Sequence, residues 1–497
     1  MAATMVASAS VVAKPLHINV PSSHTHGRAV CVFPDGSSPT GSPNQHCYNP
    51  DEFLKAYGID KLHARGLTGK GQTIIFADSF GSPTLQADLD HFSDAYHLPK
   101  TTIQYIYPNG PYINPLSNAD ETGWAEETTL DAEWAHVIAP DATLVNIVTT
   151  SSETTAMNGM QDLFDGFKIA TQKYPNAIIS MSFATGEATF SSSEITTYVQ
   201  GSLHQILQAA TDAGITLVAG SGDWGTASIN TDQTVMYAFP TVSYPASDPL
   251  ITSVGGTSIQ ANWKWNPEGT AGDYWKCKLA QQPICPQDFL NSSENTNRVT
   301  EMLWREDWAI AGGGGGISTT FTSPAFQAGL SSDVQNLVKG FRAVPDLSFN
   351  AAINGGVAVY ESYGASKPAT WQSVGGTSAA TPEIAGLVAL AGQEASNRLG
   401  RTVGIGNLNK LIYALSSQDF NDVVSQTIGT QNQVSIDNNA LFFNADVLKA
   451  VGPTHMPPTA VAGYSTTEGF DLATGLGSPR GETFVLDLAA ARVAQGL

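Results

Sequence analysis

Ser378 stands in a setting that could support acyl-transfer chemistry. It lies in a Gly-Thr-Ser-Ala turn before an apolar stretch, and that stretch predicts a helix over residues 384–391. A serine at the start of a helix gains from the positive end of the helix dipole and from backbone donors, which favour a developing oxyanion. A lone serine in this position is more often a helix cap. The interpretation as a nucleophile therefore requires a base elsewhere in the chain.

Two carboxylates, Glu127 and Asp131, are candidates for functional acids. They are four residues apart in a predicted helix over 121–139, which places them about 40° apart on the helix wheel. Trp134 and Ile138 continue the same stripe, so the two acids are expected on the inward face. This helix has no Lys or Arg, whereas a solvated acid pair would be expected to have basic partners at helical spacing. A functional pair is therefore favoured over a capping or solubilising one.

His136 is the rival base in the same helix. It lies roughly 180° from Glu127 on the helix wheel, and no Gly-Thr pair follows it. Its position on the polar side predicts a surface histidine. A histidine base would instead indicate a neutral or alkaline peptidase that uses Asp78, a histidine and Ser378, and this remains the first alternative.

Asp223 follows a predicted strand over 215–218, in the sequence Gly-Ser-Gly-Asp. Side chains at the carboxyl ends of parallel strands point into the crevice where α/β proteins bind ligands. Such a sequence is also common in Asx turns, but together with Ser378 and the acid pair it makes Asp223 a candidate oxyanion donor. A carboxylic acid donates only while it is protonated, which requires acidic pH or a raised pKa.

Alternating strands and helices are expected to position these residues. Strands and helices are predicted at 73–77, 85–96, 143–148, 177–181, 203–213 and 215–219. This alternation is typical of βαβ units with a parallel sheet covered on both faces. Gly, Pro and Ser in 27–46 predict an extended arm. The glycine run 312–316 lacks the Lys of a phosphate-binding loop, and we expect it to be a flexible surface loop.

The composition excludes several classes of protein. The chain has 497 residues, with 23 basic and 44 acidic side chains, a net charge of −21 and only 13% charged residues. This field would repel phosphate, which argues against nucleic-acid and anionic-membrane partners. No apolar stretch reaches the roughly 18 residues of a membrane span. The four cysteines form two local pairs that permit two disulfides, with a zinc site or free thiols as alternatives. They are Cys31, Cys47, Cys277 and Cys285.

Taken together, these motifs resemble the sedolisin family, the serine-carboxyl peptidases. The resemblance runs from about Tyr48 to Gly496. It includes the segments Gly71-Gln-Thr-Ile74, Glu127-Thr-Thr-Leu-Asp131, Ser221-Gly-Asp223, Gly314-Gly-Gly-Ile-Ser-Thr-Thr-Phe321, Pro345-Asp346, Gly376-Thr-Ser378 and Gly469-Phe-Asp471. It implies a subtilisin-like three-layer α/β sandwich, in which helices flank a mostly parallel sheet of about seven strands. The implied domains are an arm or pro-segment remnant at 1–46 and a peptidase domain at 47–497, with its calcium-binding region at about 419–479.

The resemblance also implies roles for individual residues. Ser378 would be the nucleophile and Glu127 the general base, Asp131 would orient and charge-couple Glu127, and Asp223 would donate to the oxyanion. Extended peptide would bind along Ser180, Ser182, Phe183, Ala184, Gly220, Ser221 and Gly222. One structural Ca²⁺ would bind the carboxylates of Asp422 and Asp471 and the carbonyls of Val423, Thr467 and Gly469, since oxygen ligands suit a hard cation.

The sequence therefore predicts an acid-acting serine peptidase, either an endopeptidase or a tripeptidyl-peptidase. At about pH 4 an exposed imidazole is protonated, whereas a glutamate with a pKa near 4.3 can exchange protons. We expect polypeptide substrates, secretion without a readable signal peptide, a monomer, and a pro-segment that is absent from this chain. Some relatives have glutamate in place of Asp78 and tryptophan in place of Phe183, so a carboxylate network through Asp78 stays open. The second alternative is an inactive, secreted, calcium-stabilised binding protein on the same fold.

Overall fold

The computed structural model describes residues 31–37, 47–230, 236–260, 300–306, 311–363, 369–424 and 461–495. The pair Cys277 and Cys285 lies outside the described residues. Within them, no helix is long and apolar enough to cross a membrane.

The N-terminal arm packs on the domain where it is described. Cys31 forms a disulfide with Cys47, which is one of the two pairings that the spacing permits. Phe33 is buried, and its ring stacks on Trp371 with 6.0 Å between the ring centroids. Residues 31–37 are therefore attached to the rest of the described chain by a covalent bond and by an aromatic contact.

The helices and strands are as follows. The strands are β1 (Cys47–Tyr48), β2 (Thr73–Ser79), β3 (Gln104–Ile106), β4 (Thr143–Thr149), β5 (Ile178–Met181), β6 (Thr185–Gly186), β7 (Thr216–Gly220), β8 (Ser243–Tyr244), β9 (Thr252–Gln260), β10 (Thr300–Leu303), β11 (Arg305–Glu306), β12 (Ala311–Gly312), β13 (Gly316–Thr322), β14 (Phe341–Val344), β15 (Leu347–Asn350), β16 (Gly356–Glu361), β17 (Thr370–Val374), β18 (Phe420–Asn421) and β19 (Ser478–Pro479). The α-helices are α1 (Pro50–Ala56), α2 (Ile59–Ala64), α3 (Leu85–Tyr96), α4 (Ala119–Ile138), α5 (Met157–Lys173), α6 (Ser192–Glu194), α7 (His204–Asp212), α8 (Ser332–Val338), α9 (Thr377–Leu399), α10 (Asn409–Ile412) and α11 (Gly481–Ala494). A π-helix over Ile195–Leu203 leads into α7.

The central sheet contains eight strands in the described part of the chain. Its order is β10-β9-β7-β5-β2-β4-β3, and β15 pairs with β9. All of these pairs are parallel except β10 with β9. The prediction of a mostly parallel sheet is confirmed, with eight strands where about seven were expected.

Helices cover both faces of this sheet. Side chains alternate along a strand, so neighbouring residues face opposite sides. Ile74 and Phe76 of β2 belong to a core that includes α4, α9 and α11. Ile75 and Ala77 belong to a second core, which includes α5 and α7. The predicted three-layer α/β sandwich is therefore confirmed.

Helix α4 corrects two expectations. Residues 123–138 are all buried, so the helix has no polar side, and an inward stripe does not distinguish Glu127 from its neighbours. His136 is fully buried, with its Nε2 2.7 Å from the Pro99 carbonyl oxygen, and the prediction of a surface histidine is wrong. The physical reason is that α4 packs against the sheet, α3, α9 and β16 at once, whereas the wheel assumes one solvated face.

The glycine run 312–316, called the glycine ribbon below, is also misassigned by sequence. It is buried, and it bonds to the chain after β7. Gly312 N–H donates to the Asp223 carbonyl at 3.0 Å, and Gly314 N–H donates to the Gly222 carbonyl at 2.7 Å. The Ser221 hydroxyl donates to the Gly314 carbonyl at 2.7 Å. Because glycine has no Cβ, two backbones can approach closely here, so the ribbon is a packed element and the expectation of a flexible surface loop is wrong.

Candidate active site

Ser378 lies in the first turn of α9. It is 2% exposed, and Gly376, which precedes the helix, has φ 107°. Glycine adopts this conformation readily and other residues rarely do. The first N–H groups of a helix have no intrahelical partners, so the Ser378 N–H and the helix dipole are available to stabilise an oxyanion beside the serine hydroxyl.

The packing of α4 against α9 brings the acid pair toward Ser378. The two helices are in close contact at Gly386, where an added Cβ would lie 2.5 Å from the Cβ of Ile138. Glu127 and Ser378 both lie on the N-terminal side of this contact. A side chain at position 386 would therefore push the two helices apart.

Glu127 is fully buried beside the nucleophile candidate. Burial and the charge of Asp131 raise its pKa well above the usual value, and the Ser378 hydroxyl lowers it in part. The charges of Asp78 and Asp223 raise it further. Neither Glu127 oxygen has a hydrogen-bond partner within 3.5 Å. Such catalytic contacts are often long before substrate binds, so Glu127 is placed to accept a proton from Ser378.

Asp131 and Asp78 complete a group of three carboxyls with Glu127, which we call the carboxyl cluster. The Ser182 hydroxyl donates to Asp131 Oδ1 at 2.9 Å, while burial and the charge of Asp78 raise the pKa of Asp131. Asn146 Nδ2 donates to Asp78 Oδ2 at 3.0 Å. Burial raises the pKa of Asp78 to about 8, against the hydrogen bonds from Thr128 and Asn146.

No histidine or other cation reaches the carboxyl cluster within the described residues. No ion pair there involves Glu127, Asp131 or Asp78. The five histidines in the described ranges make no hydrogen bond to Ser378; they are His63, His91, His97, His136 and His204. His136 bonds to the Pro99 carbonyl, and burial lowers its pKa. The arrangement therefore favours a carboxylate base over a histidine base.

Asp223 is bonded directly to the turn that carries Ser378. Its Oδ1 accepts the Thr377 N–H at 2.8 Å and the Thr377 hydroxyl at 2.7 Å. Its Oδ2 is buried without a partner and lies 2.8 Å from where a Cβ on Gly376 would be. Burial raises the pKa of Asp223 to about 6, although both Thr377 bonds lower it. Below that pH the carboxyl is protonated and can donate from Oδ2.

Comparisons with known proteins agree with this geometry. The subtilase family matches residues 122–438, more than half of the chain. Kumamolisin of Bacillus sp. (strain MN-32) is 24% identical over 436 residues, which cover 87% of this chain and 62% of kumamolisin. Sedolisin of Pseudomonas sp. (strain 101) is 25% identical over 444 residues, which cover 87% of this chain and 59% of sedolisin. The chain belongs to the sedolisin family.

A solved structure supports the fold of this sedolisin-family chain. It is Pseudomonas sedolisin, a serine-carboxyl proteinase, complexed with two molecules of pseudo-iodotyrostatin. The TM-score is 0.61 at 23% identity, over 91% of this chain and 100% of that chain. The chain spans about three fifths of the length of kumamolisin and sedolisin.

The residues predicted to bind substrate in this sedolisin-family site fall into two groups. Ser180 pairs with Phe76 and Val218 inside the sheet, Ser221 N–H donates to the Val254 carbonyl at 2.8 Å, and Gly222 N–H lies 3.3 Å from Thr377 Oγ1. These backbone groups take part in pairing within the fold. Residues 182–184 leave the sheet before β6. The binding of extended peptide along both segments stays a prediction.

Two of the predicted calcium ligands in the sedolisin-family chain, Asp422 and Asp471, bond to the same turn. Gly469 N–H donates to Asp422 Oδ2 at 2.8 Å, and Thr467 N–H donates to Asp471 Oδ2 at 2.9 Å. Carboxylate and carbonyl oxygens are ligands that suit Ca²⁺, and both carboxylates bond to the turn that would supply carbonyls. The described residues contain no cluster of three or more acidic, His or Cys side chains arranged for a metal. Backbone carbonyls would therefore have to complete the coordination, as the resemblance implies.

Several residues of the site were not found by sequence reasoning. Thr377 holds Asp223, Asn146 holds Asp78, and Ser182 orients Asp131 although it was assigned to substrate. Thr377 could have been found, since it precedes Ser378 at a helix start where hydroxyls commonly serve as caps. Asn146 gave no such signal, because its role depends on the pairing of β2 with β4.

Proposed function

We propose that this protein is a serine-carboxyl peptidase that hydrolyses peptide bonds at acidic pH. The observation that carries the proposal is the carboxyl cluster buried beside Ser378, which no histidine of the described ranges contacts by a hydrogen bond. Asp223 bonds to the turn that carries Ser378 and supplies a further carboxyl, which would donate to the oxyanion. The family membership supports the same reaction class.

The mechanism follows from the placement of these groups. Ser378 Oγ attacks the substrate carbonyl carbon while its proton passes to the ionised Glu127, and Asp131 orients the acceptor. The carbonyl oxygen becomes an oxyanion, to which the Ser378 N–H and protonated Asp223 donate. Glu127 then protonates the leaving amine as the peptide bond breaks. Water, deprotonated by Glu127, attacks the acyl-enzyme, and the product carboxylic acid leaves as Ser378 regains its proton.

The pH range follows from two opposite requirements. Asp223 must be protonated, and with its pKa near 6 this form is lost as the pH rises through that value. Glu127 must be ionised, and burial together with Asp131 raises its pKa, so this form is lost as the pH falls. The expectation that Glu127 titrates near 4.3, as an exposed glutamate does, does not fit a buried site. Activity should therefore form a bell below neutral pH.

The remaining features belong to the same proposal. We expect polypeptide substrates, bound in part by residues 182–184, with Ser378 acting in an endopeptidase or a tripeptidyl-peptidase. Bound Ca²⁺ would be held by Asp422, Asp471 and the three carbonyls, and would supply positive charge that stabilises the C-terminal turn. We also expect a secreted monomer that is made with a pro-segment. Its arm would end at residue 46 and its peptidase domain would begin at residue 47. The disulfide between Cys31 and Cys47 is consistent with secretion, since disulfides persist in oxidising compartments.

A digest of a peptide library tests the reaction and its alternatives. Wild type should cleave on the acidic side of neutral and lose activity as the pH rises through about 6, whereas Ser378→Ala and Glu127→Gln should not cleave at any pH. His136→Ala should remain active if it folds. Activity near pH 8 that survives Glu127→Gln would establish the histidine-based alternative. Wild type that cleaves nothing from pH 3 to 8 would favour the inactive binding protein. The positions of the cuts separate internal cleavage from tripeptide removal.

A further inference from the structure

Glu187 is a buried carboxylate that the proposed mechanism does not use. It is 2% exposed and lies five residues after Ser182, in a 3₁₀ turn that follows β6. The Ser318 hydroxyl donates to its Oε1 at 2.6 Å. Thr319 donates to its Oε2 twice, from the N–H at 2.7 Å and from the hydroxyl at 3.0 Å. The side chain therefore binds the start of β13 with all of its acceptors.

The start of β13 is attached to the other side of the site. β13 begins at Gly316, the last residue of the glycine ribbon, and that ribbon bonds to residues 221–223 through three hydrogen bonds. Asp223 in turn bonds to the turn of Ser378. On the side of the carboxyl cluster, the Ser182 hydroxyl donates to Asp131. A path of hydrogen bonds and short chain segments therefore runs from Asp131 through residues 182–187 to β13, the ribbon and Asp223.

We infer that Glu187 is a positioning residue of the peptidase site, which fixes the separation between residues 182–186 and residues 221–223 on either side of Ser378. The inference rests on the proposed function, because it concerns how that site holds a peptide. Ser378 and the carboxyl cluster are placed mainly by α4 and α9, neither of which Glu187 contacts by a hydrogen bond. Loss of Glu187 should therefore weaken peptide binding more than it slows the chemical step.

The direction of the hydrogen bonds explains why a carboxylate is needed. Ser318 Oγ already accepts the N–H groups of Thr320 at 3.1 Å and Phe321 at 2.8 Å, so its own proton must go to an acceptor. Thr319 presents two donors to the other oxygen. An amide offers one accepting oxygen and one donating nitrogen. Glu187→Gln can therefore satisfy only one side, and it should have a smaller defect than Glu187→Ala.

Steady-state kinetics at acidic pH provide the first test. For a fluorogenic peptide that extends on both sides of the scissile bond, Glu187→Ala should raise KM by about tenfold or more, because it removes all three hydrogen bonds that hold the start of β13. Its kcat should stay within about threefold of wild type. The KM of Glu187→Gln should fall between that of wild type and that of Glu187→Ala. Glu194→Ala is the matched control, because Glu194 is exposed, bonds to Ser191 in a neighbouring turn and has no bond to β13.

Two further variants make the test independent of folding and of turnover. Ser318→Ala removes one partner of Glu187 from the opposite side. Its effect should not add to that of Glu187→Ala, because the bond that it breaks is one of the three that Glu187→Ala also breaks. If Glu187→Ala fails to fold, Ser318→Ala alone carries the test. In a Ser378→Ala background, the Kd of the same peptide should rise by the factor seen in KM.

Each outcome decides the inference. KM and Kd that stay at wild-type values in Glu187→Ala and in Ser318→Ala overturn it while the proposed function stands. A fall in kcat at constant KM also overturns it. A wild type without Ser378-dependent cleavage overturns the proposed function, and the Kd ratio in the Ser378→Ala background still tests Glu187. A Ser378→Ala protein that binds no peptide overturns both.

Discussion

Asp223→Asn should keep the oxyanion donor while removing its titration. In the structure, Asp223 Oδ1 accepts both bonds from Thr377, while Oδ2 has no partner. An asparagine can leave its oxygen on Thr377 and place its amide nitrogen at the Oδ2 position. The amide carries its protons at every pH of interest, whereas the aspartic acid donates only below a pKa of about 6.

The expected size of the effect follows from that pKa. With a pKa of about 6, the protonated fraction of Asp223 is about 0.99 at pH 4 and about 0.01 at pH 8. Above the pKa, each further pH unit lowers this fraction about tenfold, which corresponds to a loss of about 1.36 kcal/mol of oxyanion stabilisation. The contribution of Asp223 to kcat/KM should therefore fall about 100-fold across this range. The ratio of Asp223→Asn to wild type should rise by the same factor. Asp223→Ala removes the donor altogether and should lower kcat by about 10²–10³ at pH 4, with a smaller effect at pH 8, where the wild-type carboxyl is mostly ionised.

The assay is kcat/KM for one peptide substrate across pH 3–8, measured for wild type and both variants. At about pH 4, Asp223→Asn should stay within about tenfold of wild type, since an amide N–H replaces a carboxylic O–H of similar reach. Its alkaline limb should move to higher pH or disappear. The reasoning is refuted if Asp223→Asn declines at the same pH as wild type. It is equally refuted if the variant is as inactive as Asp223→Ala at pH 4.

Three further predictions concern stability. Gly386→Ala should lower the free energy of unfolding by about 1–3 kcal/mol through overpacking, because its Cβ would lie 2.5 Å from that of Ile138. Gly329→Ala is the control, since an added Cβ there meets nothing within 4 Å. Equal Tm values for the two variants would contradict the close approach at Gly386. Glu133→Gln should raise Tm at pH 7 and leave it nearly unchanged at pH 4. Burial raises the pKa of Glu133, against a hydrogen bond from Tyr360 N–H. The folded protein therefore keeps a proton that the unfolded chain releases, and stability falls as the pH rises from the unfolded toward the folded pKa. The same change in Tm at both pH values would exclude this cause. Added Ca²⁺ should raise Tm progressively with its concentration, and Asp471→Asn should abolish the increase; a wild-type Tm that does not respond to Ca²⁺ would remove the metal from the proposal.

The sequence predicted those parts of the fold that depend on local patterns. The apolar runs at 73–77 and 143–148 became β2 and β4, and the helix at 85–96 became α3 with the same bounds. Such segments are set by a few neighbouring residues, which a periodicity captures. The placement of Asp223 at the carboxyl edge of the sheet could likewise be predicted, because it follows directly from a buried parallel strand.

The remaining features depend on residues that are distant in sequence. The burial of His136 comes from elements that pack on every side of α4, and no helix wheel contains those partners. The bond from Asn146 to Asp78 requires the register of β4 against β2. The raised pKa of Glu127 depends on burial and on the charges of Asp131, Asp78 and Asp223, against the hydroxyl of Ser378. In each case the property belongs to a contact and not to a segment.

The glycine ribbon determines how this chain can vary without losing its site. A Cβ at Gly313 would lie 3.0 Å from the backbone nitrogen of Gly256, and one at Gly314 would overlap the Ser221 carbonyl. Any side chain there would displace the segment that carries Asp223. A stretch whose composition suggests a tolerant linker is therefore among the least substitutable parts of the molecule. Insertions, tags and circular permutation should be directed to exposed turns. An added methyl group in the buried ribbon would shift the backbone that bonds to Asp223, and with it the oxyanion donor.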